Sequence, residues 1–213
     1  MTTQNKNVTI NFENLADRNF VMCNVMPRLI SRTQFEEKYS STTVHTTNST
    51  FEDLEVIFYV SFGNDEDGNT ANCILTESLL QALKISVTEL QNQAYNNASE
   101  RYEVKTIGTK LNELGCPFPV DADLPLYVVT NKSNMFGAGV ILSPDVQEEI
   151  TKMIGNNYIV IPSSVHEVLV IPADNENHSI EALTEMIQAI NKTEVAPDEV
   201  LSDHPYEINY LPF

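Results

Sequence analysis

Ser163, Ser164, His166 and Glu167 fall within five consecutive positions. A hydroxyl, an imidazole and a carboxylate are the groups that nucleophilic hydrolysis uses. That chemistry needs the hydroxyl within hydrogen-bond reach of the ring, and a third group to orient the ring. Neighbouring strand residues point to opposite faces, so His166 and Glu167 are expected to diverge. No Gly-x-Ser-x-Gly elbow is present. The segment reads first as a hairpin turn whose hydroxyls satisfy backbone groups. A hydrolase centred on Ser163, Ser164 and His166 is the alternative.

Other chemistry-bearing patterns are weaker. Asp203 and His204 could meet His166 in space, and two histidines with a carboxylate can hold a metal, but no spacing fixes that geometry. Residues 64–69 (NDEDGN) are oxygen-rich like a calcium loop, yet the twelfth position is Leu75 where a bidentate glutamate is needed. Gly137 and Gly139 are not followed by Lys-Ser/Thr, so no phosphate-binding loop is formed. Asp121 and Asp123 sit in a proline-rich connection and read as loop solvation. Cys23, Cys73 and Cys116 are odd in number and lack a CxxC pair, which argues against a disulfide framework and a zinc knuckle. No metal and no cofactor are expected.

Charge is the strongest compositional signal. The 213 residues carry 30 acidic against 12 basic side chains, net −18. Such a chain repels phosphate backbones and anionic headgroups, so direct binding to nucleic acid or membrane is disfavoured. Residues 145–207 hold thirteen Asp and Glu against two Lys. Asp145, Glu148, Glu149, Glu181, Glu185, Asp198, Glu199 and Asp203 are the candidate binding residues on this stretch. They would suit a protein partner with a basic surface. A sharper form of the idea is mimicry of a nucleic acid, which would inhibit a defence or DNA-binding protein.

These groups must be positioned by secondary structure. An apolar fraction of 42 % with long β-branched runs is enough for a core. Residues 7–12 fit a short strand and 11–19 a short helix. Residues 20–30 alternate in polarity and fit a strand with Pro27 at its end or on an edge. Residues 32–40 fit a helix and 41–50 a loop. Residues 54–62 and 70–75 fit a hairpin. Thr76 and Ser86 are placed to cap helices over 77–83 and 87–97. Residues 104–110 fit a strand or a loop, and three prolines mark 116–125 as a connection.

Residues 126–130 fit a strand. A glycine turn at 137–139 should lead into a strand at 140–142. Ser143-Pro144 should start a helix that ends at Gly155. Residues 158–162 and 165–171 fit a second hairpin, 180–191 a helix, and 206–210 an edge strand. The order predicts an α+β fold: mainly antiparallel sheet or sheets with helices packed on one face. A soft boundary separates an N-terminal half, 1–115, from a C-terminal half, 116–213, within what could be one continuous domain. The N-terminus has no signal-peptide core, and no run nears the roughly eighteen apolar residues of a membrane helix. With unpaired thiols, these features suit the cytoplasm.

Several segments in order carry a resemblance: FENLADRNFVMCNVMPRLI (12–30), 54–62, 74–83, 127–142, YIVIPSSVHEVLVIPAD (158–174) and INKTEVAPDEVLSDHPYEI (190–208). The most specific are PSSVHE (162–167) and VAPDEVLSD (195–203). Over about residues 10–208 the chain resembles the bacterial domain-of-unknown-function family 5688. The resemblance implies a bacterial, cytosolic setting, including mobile elements of gut anaerobes. It implies no mechanism.

Overall fold

β-branched and aromatic runs make the strands, because such side chains pack well on a pleated surface. The computed structural model of the chain describes residues 12–39, 41–47, 50–64, 70–116, 124–173 and 179–211. In the first sheet, β1 (Val25–Ser31), β2 (His45–Thr47) and β4 (Thr70–Ile74) all pair antiparallel with the longest strand, β3 (Leu54–Asn64). The second sheet contains β5 (Tyr102–Thr106), β6 (Tyr127–Asn131), β7 (Asn157–Ser164), β8 (Glu167–Pro172) and β9 (Tyr206–Asn209). Its spatial order is β5-β6-β8-β7-β9, and every pair is antiparallel.

Polar caps set the helix starts. Asp17, Ser31, Thr76, Ser86, Thr106 and Ser179 each accept a backbone N–H at the start of α1 (Arg18–Asn24), α2 (Arg32–Lys38), α3 (Glu77–Leu83), α4 (Val87–Arg101), α5 (Ile107–Glu113) and α7 (Ile180–Thr193). Pro144 opens α6 (Pro144–Ile154) as expected. Ser143 does not cap it: the Ser143 hydroxyl lies 2.7 Å from that of Ser99.

Three apolar clusters hold the layers. The largest joins Val56, Phe58 and Val60 of β3 to Val129, Val160 and Val170 of the second sheet, and includes Leu90, Ala94 and Ala98 of α4, which packs on β1. The β5–β6 ladder crosses the proline-rich connection, so residues from both halves share one sheet. Along β7 the side chains alternate. Tyr158 and Val160 face the shared core with Val146 and Ile150 of α6, while Ile159 and Ile161 face Leu183 and Ile187 of α7. A small third cluster seats Phe35 of α2 on Ile30 and Ile57. The expected α+β class with antiparallel sheets is therefore observed, and the helices extend to a second face through α2 and α7.

Three local expectations are corrected. Residues 20–24 are helical rather than strand, because the Asp17 carboxylate accepts the N–H groups of Asn19 and Phe20 and starts α1. Pro27 then falls inside β1, which is tolerable because among the described residues β1 pairs only with β3 and lies at an edge. Residues 140–142 are not a strand. Gly137–Leu142 form a buried 3-10 helix. A Cβ at Gly139 would lie 2.3 Å from the Pro27 carbonyl oxygen, so this close approach to β1 requires glycine. Residues 104–110 split into β5 and α5. The 65–69 turn of the calcium-like loop, Asp121, Asp123 and most of the expected 7–12 strand lie outside the described residues. Among the described residues, no helix is long and apolar enough to cross a membrane.

Candidate functional site

His166 sits in the turn between β7 and β8, its side chain 26 % exposed. Its Nδ1 accepts the Phe136 backbone N–H at 3.2 Å, and its Nε2 lies 3.2 Å from Glu199 Oε1. In the neutral ring the proton is therefore on Nε2 and points at Glu199. Neither nitrogen is left to take a proton from a hydroxyl. Ser164 Oγ accepts the His166 backbone N–H instead, at 3.1 Å. Of the candidate set Ser163, Ser164, His166 and Glu167, the Ser164 hydroxyl and the His166 ring are thus each bonded elsewhere rather than to each other. The segment is a turn braced by backbone hydrogen bonds.

His204 does not approach His166. Its Nε2 is 3.5 Å from Asp53 Oδ2, and its Nδ1 is 3.0 Å from the Pro205 carbonyl oxygen. The Asp53 carboxylate also accepts the hydroxyls of Ser202 and Tyr206. Burial and this carboxylate push the Tyr206 phenol pKa far up. The cluster ties the start of β3 to β9. Among the described residues no group of three or more His, Cys, Asp or Glu could hold a metal.

A row of rings runs away from His166. Phe136 stacks on it with centroids 5.6 Å apart, and Tyr59 meets Phe136 edge-on at 5.5 Å. The Arg28 guanidinium lies 3.9 Å from the Phe136 ring centre. Arg28 is only 8 % exposed, and its Nε has no hydrogen-bond partner. Burial lowers its pKa, while the Tyr39 and Tyr59 phenols and Asp198 act the other way. Phe136 has φ +53°, a left-handed conformation that a bulky side chain rarely adopts.

The row ends in a cleft of about 450 Å³. Tyr59 and Asn131 form its floor, and Arg101, Lys132, Ser61 and Ser133 its polar walls. The register Tyr102↔Asn131, continued by one residue, puts Arg101 and Lys132 directly opposite each other, and the Lys132 N–H donates to the Arg101 carbonyl at 2.8 Å. Arg101 Nη2 donates to the Cys23 carbonyl at 2.7 Å, and Lys132 Nζ to the Glu100 carbonyl at 2.9 Å. The Asn131 side-chain oxygen accepts from Ser133 and Met135, and its amide donates to the Met135 carbonyl at 2.8 Å and to Tyr59 Oη at 3.4 Å. Burial pushes the Tyr59 phenol up to about 12 against the pull of Asn131, Arg28 and Arg101.

Over residues 1–209 the chain matches a family described as "Family of unknown function (DUF5688)". The chain belongs to DUF5688. No curated protein and no solved structure matches it. The two segments that resemble DUF5688 most specifically, 162–167 and 195–203, touch each other. The Val165 N–H donates to the Glu199 carbonyl at 2.9 Å, beside the His166–Glu199 contact.

The eight candidate acids of this DUF5688 chain lie in three places. Asp145, Glu148 and Glu149 lie on α6, where Glu148 pairs with Lys152 at 2.9 Å. Glu181 and Glu185 lie on α7, on the opposite face of the second sheet. Asp198, Glu199 and Asp203 follow in the 194–203 loop. Gln34 of α2 holds that loop by donating to the carbonyls of Pro197 (2.9 Å) and Val200 (3.1 Å). All eight acids reach the surface, but they do not share one face as imitation of a phosphate backbone would require. Sequence reasoning missed Arg28, Tyr59, Arg101, Asn131, Lys132 and Phe136. One signal was present: an arginine within the apolar run of β1 in a chain with only 12 basic residues.

Proposed function

We propose that this chain is a non-enzymatic protein-interaction module, cytoplasmic and bacterial, working in mobile-element or phage biology as the family resemblance implies. Its contact surface is an acidic strip. The strip begins with Glu181 and Glu185 on α7, continues through Glu194, Asp198, Glu199 and Asp203, and reaches Glu36 and Glu37 on α2. Among the described residues of α2, α7 and the 194–203 loop, the basic side chains are Arg32, Lys38 and Lys192. One observation carries the reading: Gln34 fastens the acidic loop to α2, so its charge is held next to that of α2. Like charges kept together at a surface give it a local negative potential, which a partner with a basic surface would complement.

The test is capture from a native bacterial lysate on the immobilised chain, with release by rising salt. The variant Glu181→Gln/Glu185→Gln/Asp198→Asn should lose the captured protein, and Asp145→Asn/Glu148→Gln on α6 should keep it. Equal capture by both variants would refute the strip as the contact surface.

A further inference from the structure

We propose that the cleft floored by Tyr59 and Asn131 binds a small phosphate-bearing molecule between Arg101 and Lys132. The inference does not depend on the acidic strip, which lies elsewhere on the molecule.

Like charges directly opposite across an antiparallel ladder repel each other. Arg101, the last residue of α4, and Lys132 face each other just beyond the end of the β5–β6 ladder, where the same repulsion applies. Among the described residues neither has a carboxylate within salt-bridge distance. The same holds for Arg28, Lys38, Lys84, Lys110 and Lys192, so it is the adjacency of Arg101 and Lys132 that sets this pair apart. In a chain of net −18, two adjacent cations without a carboxylate between them are conspicuous. Each is anchored by one backbone carbonyl, which leaves further N–H groups of the guanidinium and the ammonium to a ligand. No Asp or Glu is among the described residues that line the cleft. The Arg28 guanidinium behind Tyr59 adds a third positive charge, held by the Phe136 ring.

The donor set selects the ligand. The Ser133 hydroxyl donates to Asn131. The free N–H groups of a guanidinium and an ammonium, with the Ser61 hydroxyl, offer more donors than the two oxygens of a carboxylate can accept. A tetrahedral phosphate dianion can use them together. Size points the same way: about 450 Å³ is room for a small metabolite. Long-range repulsion from the acidic surface works against a polyanion such as nucleic acid. A small dianion feels mainly the local cations, since screening fades the rest within about 8–10 Å.

The test is calorimetric titration of the full chain at pH 7.5 with inorganic phosphate, phenyl phosphate, acetate and an oligoglutamate peptide. Saturable binding of the two phosphates, with acetate and oligoglutamate at least tenfold weaker, is the expected result. Arg101→Gln/Lys132→Gln should lower phosphate affinity by about tenfold or more. Lys192→Gln, on the far side of the second sheet, should leave it unchanged. The unmodified chain supplies a second readout, because phosphate should shift the backbone amide NMR signals of Ser61, Gly63, Asn131 and Ser133. Shifts confined to other regions, equal affinity for acetate, tighter binding of oligoglutamate, or no saturation below about 10 mM would each overturn the proposal.

Discussion

The acidic strip and the cationic cleft sit at opposite ends of one row of side chains, and they are built in different ways. Glu199 of the strip touches His166, which stacks on Phe136, which meets Tyr59 at the cleft floor. The strip is made of exposed carboxylates on helix surfaces and a loop, where water pays most of the electrostatic cost. The cleft is made of few cations on rigid elements, backed by a buried guanidinium with an unpartnered Nε. Charge at the strip is therefore easy to change without harm to the fold, whereas the Arg28 charge behind the cleft is embedded in the core.

The comparison breaks first in alkali. Burial holds Tyr59 and Tyr158 at about 12, and Tyr206 higher still. Folded pKa values above the unfolded value of about 10 mean that the stabilisation is complete below pH 10. It is lost as pH rises toward 12. The loss for Tyr59 and Tyr158 together is roughly 5 kcal/mol. Because both regions rest on one shared core, these tyrosines should ionise with unfolding rather than one by one. Phenolate absorbance followed beside circular dichroism checks this, and a separate early ionisation of Tyr59 would show that the cleft opens alone.

Next in size is Gly139→Ala. Its Cβ would press on the Pro27 carbonyl, in the strand that carries Met26 and Arg28. The expected loss is about 3 kcal/mol or more in urea unfolding. Phe136→Ala should lose about 2 kcal/mol by taking the ring from Arg28 and His166. It should weaken phosphate binding while leaving the salt profile of partner capture unchanged. A parallel change in both would make the row a conduit between the two regions. Smallest is Glu181→Gln/Glu185→Gln, which should shift stability by no more than about 0.5 kcal/mol while reducing capture.

The sequence was most legible where local chemistry decides the outcome. Thr76, Ser86 and Ser179 cap the helices expected behind them, and Gly155 ends α6 at φ +91°. The hairpins at β3–β4 and β7–β8 follow their β-branched runs. It was least legible where distant segments meet. Residues 140–142 look like a strand, but their backbone is packed as a buried 3-10 helix by the Gly139–Pro27 approach across the molecule. Arg101 and Lys132 are 31 positions apart, and only the β5–β6 register makes them neighbours. The acids were legible as a count but not as a surface, because α6 and α7 differ in facing by the parity of β7 residues alone.

The Asp53 cluster has a consequence for how the chain is made. Ser202 and Tyr206 reach back across 149 and 153 positions to Asp53, and Gln34 waits for residues 197 and 200. A nascent chain leaving the ribosome can pair β1 to β4 early. It cannot fasten them until residues 197–206 have emerged. Synthesis at about 5–20 residues per second leaves that seam open for several seconds, a window in which a chaperone can still engage it.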